Sequence, residues 1–122
     1  MPFKIKRVYE PPQRSDGLRI LVDRLWPRGL KKSQARIDDW MKEVAPSPQL
    51  RTWFGHRPER FAEFSARYKK ELAGNPKLAE LRKRGRDTTV SLLYAARDPK
   101  FNQAAVLLSV LRGRSAKRRG RK

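Results

Sequence analysis

At 122 residues the chain is long enough for one hydrophobic core and short for two. It has no cysteine and one histidine, which excludes disulfides, thiolate zinc sites and cysteine nucleophiles, so no metal or cofactor is expected. The formal charge of +19 favours contact with polyanions whatever the fold.

The N-terminus, "MPFKIKRVYE", lacks the apolar core of a signal peptide, and no stretch approaches the roughly 18 apolar residues of a transmembrane helix. A soluble, cytoplasmic protein with no membrane partner is expected. Phe3 and Ile5 alternate with Lys4 and Lys6, which predicts a first strand near a sheet edge whose direction stays open. "PPQRSDG" then reads as a turn. "LRILVDRLW" is denser in apolar residues. Leu18, Ile20 and Val22 on one face and Leu21 on the other suit a central strand buried on both sides.

Beyond "PRGLKK" the period changes. Ser33 can cap a helix in which Ile37, Trp40, Met41 and Val44 form one apolar face, ended by Pro46. Ser47 and Pro48 repeat the start signal for a short helix through Trp53 and Phe54, stopped at Gly55. Pro58 opens a longer one, with Phe61, Phe64, Tyr68 and Leu72 inward and Glu63 and Arg67 paired on the outer side. Asn75 and Pro76 start another, ended at Gly85, before "TTVSLLYAA" gives a second buried strand. Asp98 and Pro99 repeat the cap pattern ahead of a last helix through Leu111.

Two buried strands joined by a long helical crossover imply an α/β fold: a small, mostly parallel sheet of three or more strands packed by several helices. Residues 1–111 are expected to form a single domain. Residues 112–122 hold Arg112, Arg114, Lys117, Arg118, Arg119, Arg121 and Lys122 with no acid and almost no apolar side chain. Such a segment reads as a disordered basic tail, either a tether for nucleic acid or an unselective solubilising extension.

Parallel strands at 18–23 and 88–94 would end on one edge, where open α/β sheets place ligands. That edge would collect Asp23, Arg24, Trp26, Arg28, Tyr94, Arg97 and Asp98. The arginines would bind a phosphate or carboxylate, with Trp26 and Tyr94 as an aromatic wall and Asp23 for orientation. The competing structural reading pairs Asp23 and Asp98 with Arg24, Arg28 or Arg97 and leaves the rings as filler. His56 is the first candidate for acid–base chemistry, with core packing or a helix start as its alternative. No phosphate loop, dinucleotide fingerprint or nucleophile elbow is present, so no reaction is indicated.

Taken together, "DGLRILVDRLWPRGLKK", "WFGHRPERFAEFSARYKKEL" and "LLYAARDPKFNQAAVL" resemble the YeaO-like family, a bacterial domain of unknown function. The resemblance covers nearly all of residues 3–111. It implies a small cytoplasmic α/β domain whose hallmark positions are here Asp23 to Gly29, Tyr94 to Asp98, His56 and Asn102, with no established activity. The resemblance also implies an acid where this chain has Arg57, and often a His where it has Gln103. Three roles stay open: a small anionic-ligand site, binding or catalytic; non-specific nucleic-acid association through the tail and basic faces; and an adaptor docking a protein through exposed aromatics. The oligomeric state is not legible.

Overall fold

A computed structural model describes the backbone of residues 2–120 and the side chains as far as residue 113. Four strands form one sheet: β1 (Phe3–Arg7), β2 (Leu18–Leu21), β3 (Asp39–Trp40) and β4 (Val90–Tyr94), in the order β1-β4-β2-β3. Every pairing is parallel, which settles the direction of the first strand. The helices are α1 (Lys32–Ala35), α2 (Pro48–Phe54), α3 (Phe61–Ala73), α4 (Pro76–Asp87) and α5 (Gln103–Gly120). The architecture is therefore α/β with a fully parallel sheet. No helix among the described residues is long and apolar enough to cross a membrane.

Side-chain alternation divides the sheet into two faces. Phe3, Ile20, Val90, Leu92 and Tyr94 pack with α2 to α5 through Phe54, Phe64, Tyr68, Leu81 and Leu107 in the main core. On the other face Leu21 and Leu93 meet Val8, Trp26, Leu30, Ile37 and Trp40. β2 is thus buried from both sides, as its apolar run implies. The strand stretches far enough that Val22 still donates its N–H to Leu93, 3.0 Å away.

The helix expected over Ile37, Trp40, Met41 and Val44 is not formed. α1 stops after one turn at Arg36, whose φ of 49° is left-handed, and Ser33 lies inside that turn instead of capping it. The chain then joins the edge of β2: Asp38 N–H donates to Arg19 at 2.7 Å and Met41 N–H to Leu21 at 2.9 Å. Pairing the open backbone of a buried strand outweighs a helix that would leave it unpaired. Ile37 and Trp40 then serve the second face while Met41 and Val44 serve the main core.

Two other boundaries differ from expectation. α4 runs through Gly85 because that residue is a packing site, not a stop: a Cβ there would fall inside 3.0 Å of the buried Phe3 ring. α5 begins at Gln103, not after Pro99. Asn102 Oδ1 accepts from Ala105 N–H at 2.8 Å and caps it, while Asp98 caps the preceding turn. The expected starts at Ser47 and Asn75 hold, each side chain accepting from a first-turn N–H. The tail expected to be disordered falls mainly on residues 114–122, whose side chains lie outside the described residues.

Before β2, Asp16 is buried with Lys6 and Arg19, at 2.9 and 2.5 Å. Burial pushes its carboxyl up, but the Gln13 N–H and the two cations outweigh this and hold it at about 2. This ion cluster sits at the opposite end of β2 from the residues considered next.

Candidate functional site

β2 and β4 run side by side, so the segments that follow them leave the sheet on one edge. Asp23 is the link between the two. Its Oδ2 accepts the Ala95 N–H at 3.0 Å, and its Oδ1 accepts from the Gln103 side-chain amide at the start of α5. Trp40 fixes its backbone, donating Nε1–H to the Asp23 carbonyl at 2.7 Å.

Over this edge opens a cleft of about 510 Å³. Asp23, Arg24 and Leu25 come from the segment after β2, and Ala95, Ala96, Arg97 and Asp98 from the segment after β4. Pro46, Arg51, Phe54, His56, Phe64 and Gln103 close the remaining sides. The volume lies within the range of roughly 300–1,000 Å³ usual for small-molecule sites.

The cations differ in what they can offer. Arg24 spends Nε and Nη2 on the carbonyls of Ala45 and Pro46, at 3.1 to 3.3 Å, and so staples the loop before α2 to the sheet edge. Arg51 and Arg97 are exposed, and their guanidinium groups have no hydrogen bond or ion pair among the described residues. His56 is also exposed, in a left-handed conformation at φ 57° directly after Gly55 at 53°. Its ring leans on Phe54 with centroids 6.1 Å apart.

The carboxylates are held by amides, not by arginines. Burial raises Asp23 to about 6, against the lowering effects of Ala95, Gln103 and Arg51. Asp98 Oδ1 accepts from Lys100 N–H at 2.9 Å and Phe101 N–H at 3.1 Å, which lowers its carboxyl. No ion pair joins Asp23 or Asp98 to Arg24, Arg28 or Arg97 among the described residues.

Of the sequence-derived candidates, the fold gathers Asp23, Arg24, His56, Arg97 and Asp98 around the cleft. It does not bring four others there. Trp26 packs edge-on to Trp40 at 5.5 Å and donates its indole N–H to the Leu30 carbonyl at 2.8 Å, on the second face. Tyr94 is 4% exposed in the main core, where burial raises its phenol. Arg28 is exposed outside the cleft, its carbonyl accepting the Tyr9 hydroxyl. Asn102 is fully buried as the α5 cap, donating also to the Asp98 carbonyl at 2.8 Å. The rings that line the cleft are Phe54 and Phe64, stacked 4.3 Å apart and both buried behind it, not Trp26 and Tyr94.

Sequence reasoning missed Arg51, Phe54 and Phe64 as lining residues. Only the seating of α2 and α3 over the sheet edge puts them there, and helical spacing carries no trace of that. Gln103 did carry a signal, as a position where the family resemblance implies a His in many members. Arg57, the other departure, pairs with Glu59 at 2.8 Å on the surface. No described group of three or more His, Asp or Glu residues is arranged to hold a metal ion.

The profile of the family described as "Inactive DUF488-N3 subclade" matches residues 2–122. An uncharacterised Mycobacterium tuberculosis protein, Rv3073c, is 47% identical over 111 residues, covering 91% of this chain and 94% of that one. A Mycobacterium bovis protein, Mb3100c, matches to the same extent. Escherichia coli YeaO, also uncharacterised, is 43% identical over 116 residues, or 92% and 98% of the two chains. No solved structure matches the chain. The chain belongs to the YeaO-like proteins, within the subclade described as inactive DUF488-N3.

Proposed function

We propose that the cleft at the carboxyl edge of the sheet binds a small anion and holds it without chemical turnover. The observation that carries this reading is the pair of exposed guanidinium groups, Arg51 and Arg97, with no hydrogen bond or ion pair among the described residues, although Arg51 acts at longer range on Asp23, on a cleft whose two aspartates are satisfied by amides. Guanidinium forks left free beside an apolar wall suit a carboxylate or phosphate oxygen pair. Had the arginines been paired with Asp23 and Asp98, the cleft would be better read as a set of surface ion pairs.

Three features favour binding over catalysis. The side chain against Asp23 is Gln103, which cannot titrate. Among the described residues no carboxylate bonds to His56, and Arg57, which follows it, turns to Glu59. The family's own description is "inactive".

The test is a thermal-shift and calorimetric screen of the full chain against inorganic phosphate and simple carboxylates, repeated with Arg51→Ala and Arg97→Ala. At one hundred times Kd a bound anion stabilises the native state by about 2.7 kcal/mol, enough for a clear shift. Both variants lose the shift. Absence of any shift in the parent chain, or a shift untouched by either substitution, refutes the reading.

The +19 charge, seven groups of which lie in residues 112–122, supports a second role in polyanion association. It predicts a log K that falls with log salt by about 0.9 per phosphate neutralised on duplex DNA, and a smaller slope once residues 112–122 are deleted. Equal affinity and slope without the tail would refute it.

A further inference from the structure

Resting on the anion-site reading, we propose that the ligand is an organic monoanion with an apolar body, an aryl or branched-alkyl carboxylate, and not a phosphate or phosphoester.

The cleft is half apolar in composition. Leu25, 58% exposed at the mouth, and the half-buried Ala95 and Ala96 supply hydrocarbon surface, backed by the buried Pro46, Phe54 and Phe64. A bare inorganic ion would leave that surface wet. A ring or branched chain laid between Leu25 and the Ala95–Ala96 segment would cover it. With Leu25 over its outer edge, such a body would keep its carboxylate within reach of Arg97 and Arg51 on the rim.

The backbone argues against phosphate. Parallel α/β sheets usually cradle phosphate on free amides after a strand and at the next helix start. Here four of those amides are already occupied. Ala95 N–H goes to Asp23, Lys100 and Phe101 N–H go to Asp98, and Ala105 N–H goes to Asn102. Asp98 lines the same cleft, and its carboxylate would repel a phosphate there.

Charge gives the same answer. Arg24, Arg51 and Arg97 face the cleft with Asp23 and Asp98, so at neutral pH the fixed charges leave one positive charge uncompensated, His56 aside. One carboxylate balances it, whereas a dianion overshoots in the presence of two nearby carboxylates.

The experiment is isothermal titration of the full chain with acetate, 3-phenylpropanoate, phenyl phosphate and inorganic phosphate at neutral pH and 0.15 M salt. The expected result is binding of 3-phenylpropanoate at least tenfold tighter than acetate and tighter than either phosphate. Leu25→Ala weakens it several-fold, and Arg97→Ala abolishes it. Both residues are exposed, so neither variant threatens the core. Binding through the basic tail would not respond to Arg97→Ala and would overturn the assignment. Inorganic or phenyl phosphate binding as tightly as 3-phenylpropanoate, with loss on Arg97→Ala, overturns the monoanion inference and leaves the anion site standing. Acetate binding as tightly as 3-phenylpropanoate overturns the apolar body alone. No binding by any of the four overturns both.

Discussion

Asp23 should make this protein less stable at neutral pH than at mildly acid pH, and Asp23→Asn should remove the difference. Burial holds the Asp23 carboxyl at about 6 in the native state, against an ordinary 3.8. A carboxyl whose pKa is raised by folding keeps its proton better in the native than in the unfolded chain. Its contribution is therefore complete below about 3.8 and is lost as pH rises through 6. At about 1.4 kcal/mol per pH unit, the separation corresponds to roughly 3 kcal/mol. Asp16 works in the opposite sense and in another window: held at about 2, its contribution is lost only as pH falls below the ordinary 3.8. Asparagine at position 23 still presents an oxygen to the Ala95 N–H, and Gln103 can turn its amide to offer its own oxygen to the new NH₂ group. The assay is urea unfolding at half-unit steps from pH 4.5 to 8 for both proteins. Wild-type stability should fall across this range by about 2 kcal/mol relative to Asp23→Asn, the remaining third having been lost below pH 4.5, with the variant the more stable at pH 8. Parallel profiles, or a wild type that gains on the variant as pH rises, would refute the assignment of burial as the dominant influence on Asp23.

Two further substitutions test the scaffold beneath the cleft. Gly17 has a φ of 65°, and a Cβ there would collide with the Thr89 carbonyl that accepts the Leu18 N–H, so Gly17→Ala should cost at least about 3 kcal/mol in urea unfolding. A loss below about 1 kcal/mol would mean that the β2–β4 junction yields easily. Asn102→Ala removes the α5 cap and leaves the Asp98 carbonyl without its amide donor, for an expected loss of about 1–3 kcal/mol and faster amide exchange at Ala105. Unchanged exchange there would show that Asn102 does not hold the helix start.

How far the fold could be read from residues depends on whether the signal was local. Ser47 with Pro48 and Asn75 with Pro76 were legible because a cap acts over three residues. β2 and β4 were legible because burial on both faces demands an unbroken apolar run. The segment 37–44 was not, since its apolar residues satisfy a helical spacing and also serve two opposite faces of a sheet. Only the unpaired edge of β2, which is a tertiary fact, selects between them.

The site divides along the same line. Adjacency of the segments after β2 and β4 follows from two parallel strands, and it places Asp23, Arg24, Arg97 and Asp98 together without knowledge of any other element. Which side chains turn into the cleft does not follow, and Trp26, Arg28 and Tyr94 turn elsewhere. Trp26 is claimed by Trp40, which reached the sheet only because β3 replaced a helix; Tyr94 obeys the alternation of β4 and points to the core. Their place is taken by Phe54 and Phe64, and the free cations by Arg51 together with Arg97. Trp26 and Tyr94 thus hold the edge in shape from below and behind, and in the proposed reading contact with an anion falls to Arg97, which the sequence placed at the edge, and Arg51, which it did not. Substitutions at Trp26 or Tyr94 would act on anion binding only through the fold, whereas Arg51 and Arg97 can be changed with the fold intact, and that difference separates scaffold from site.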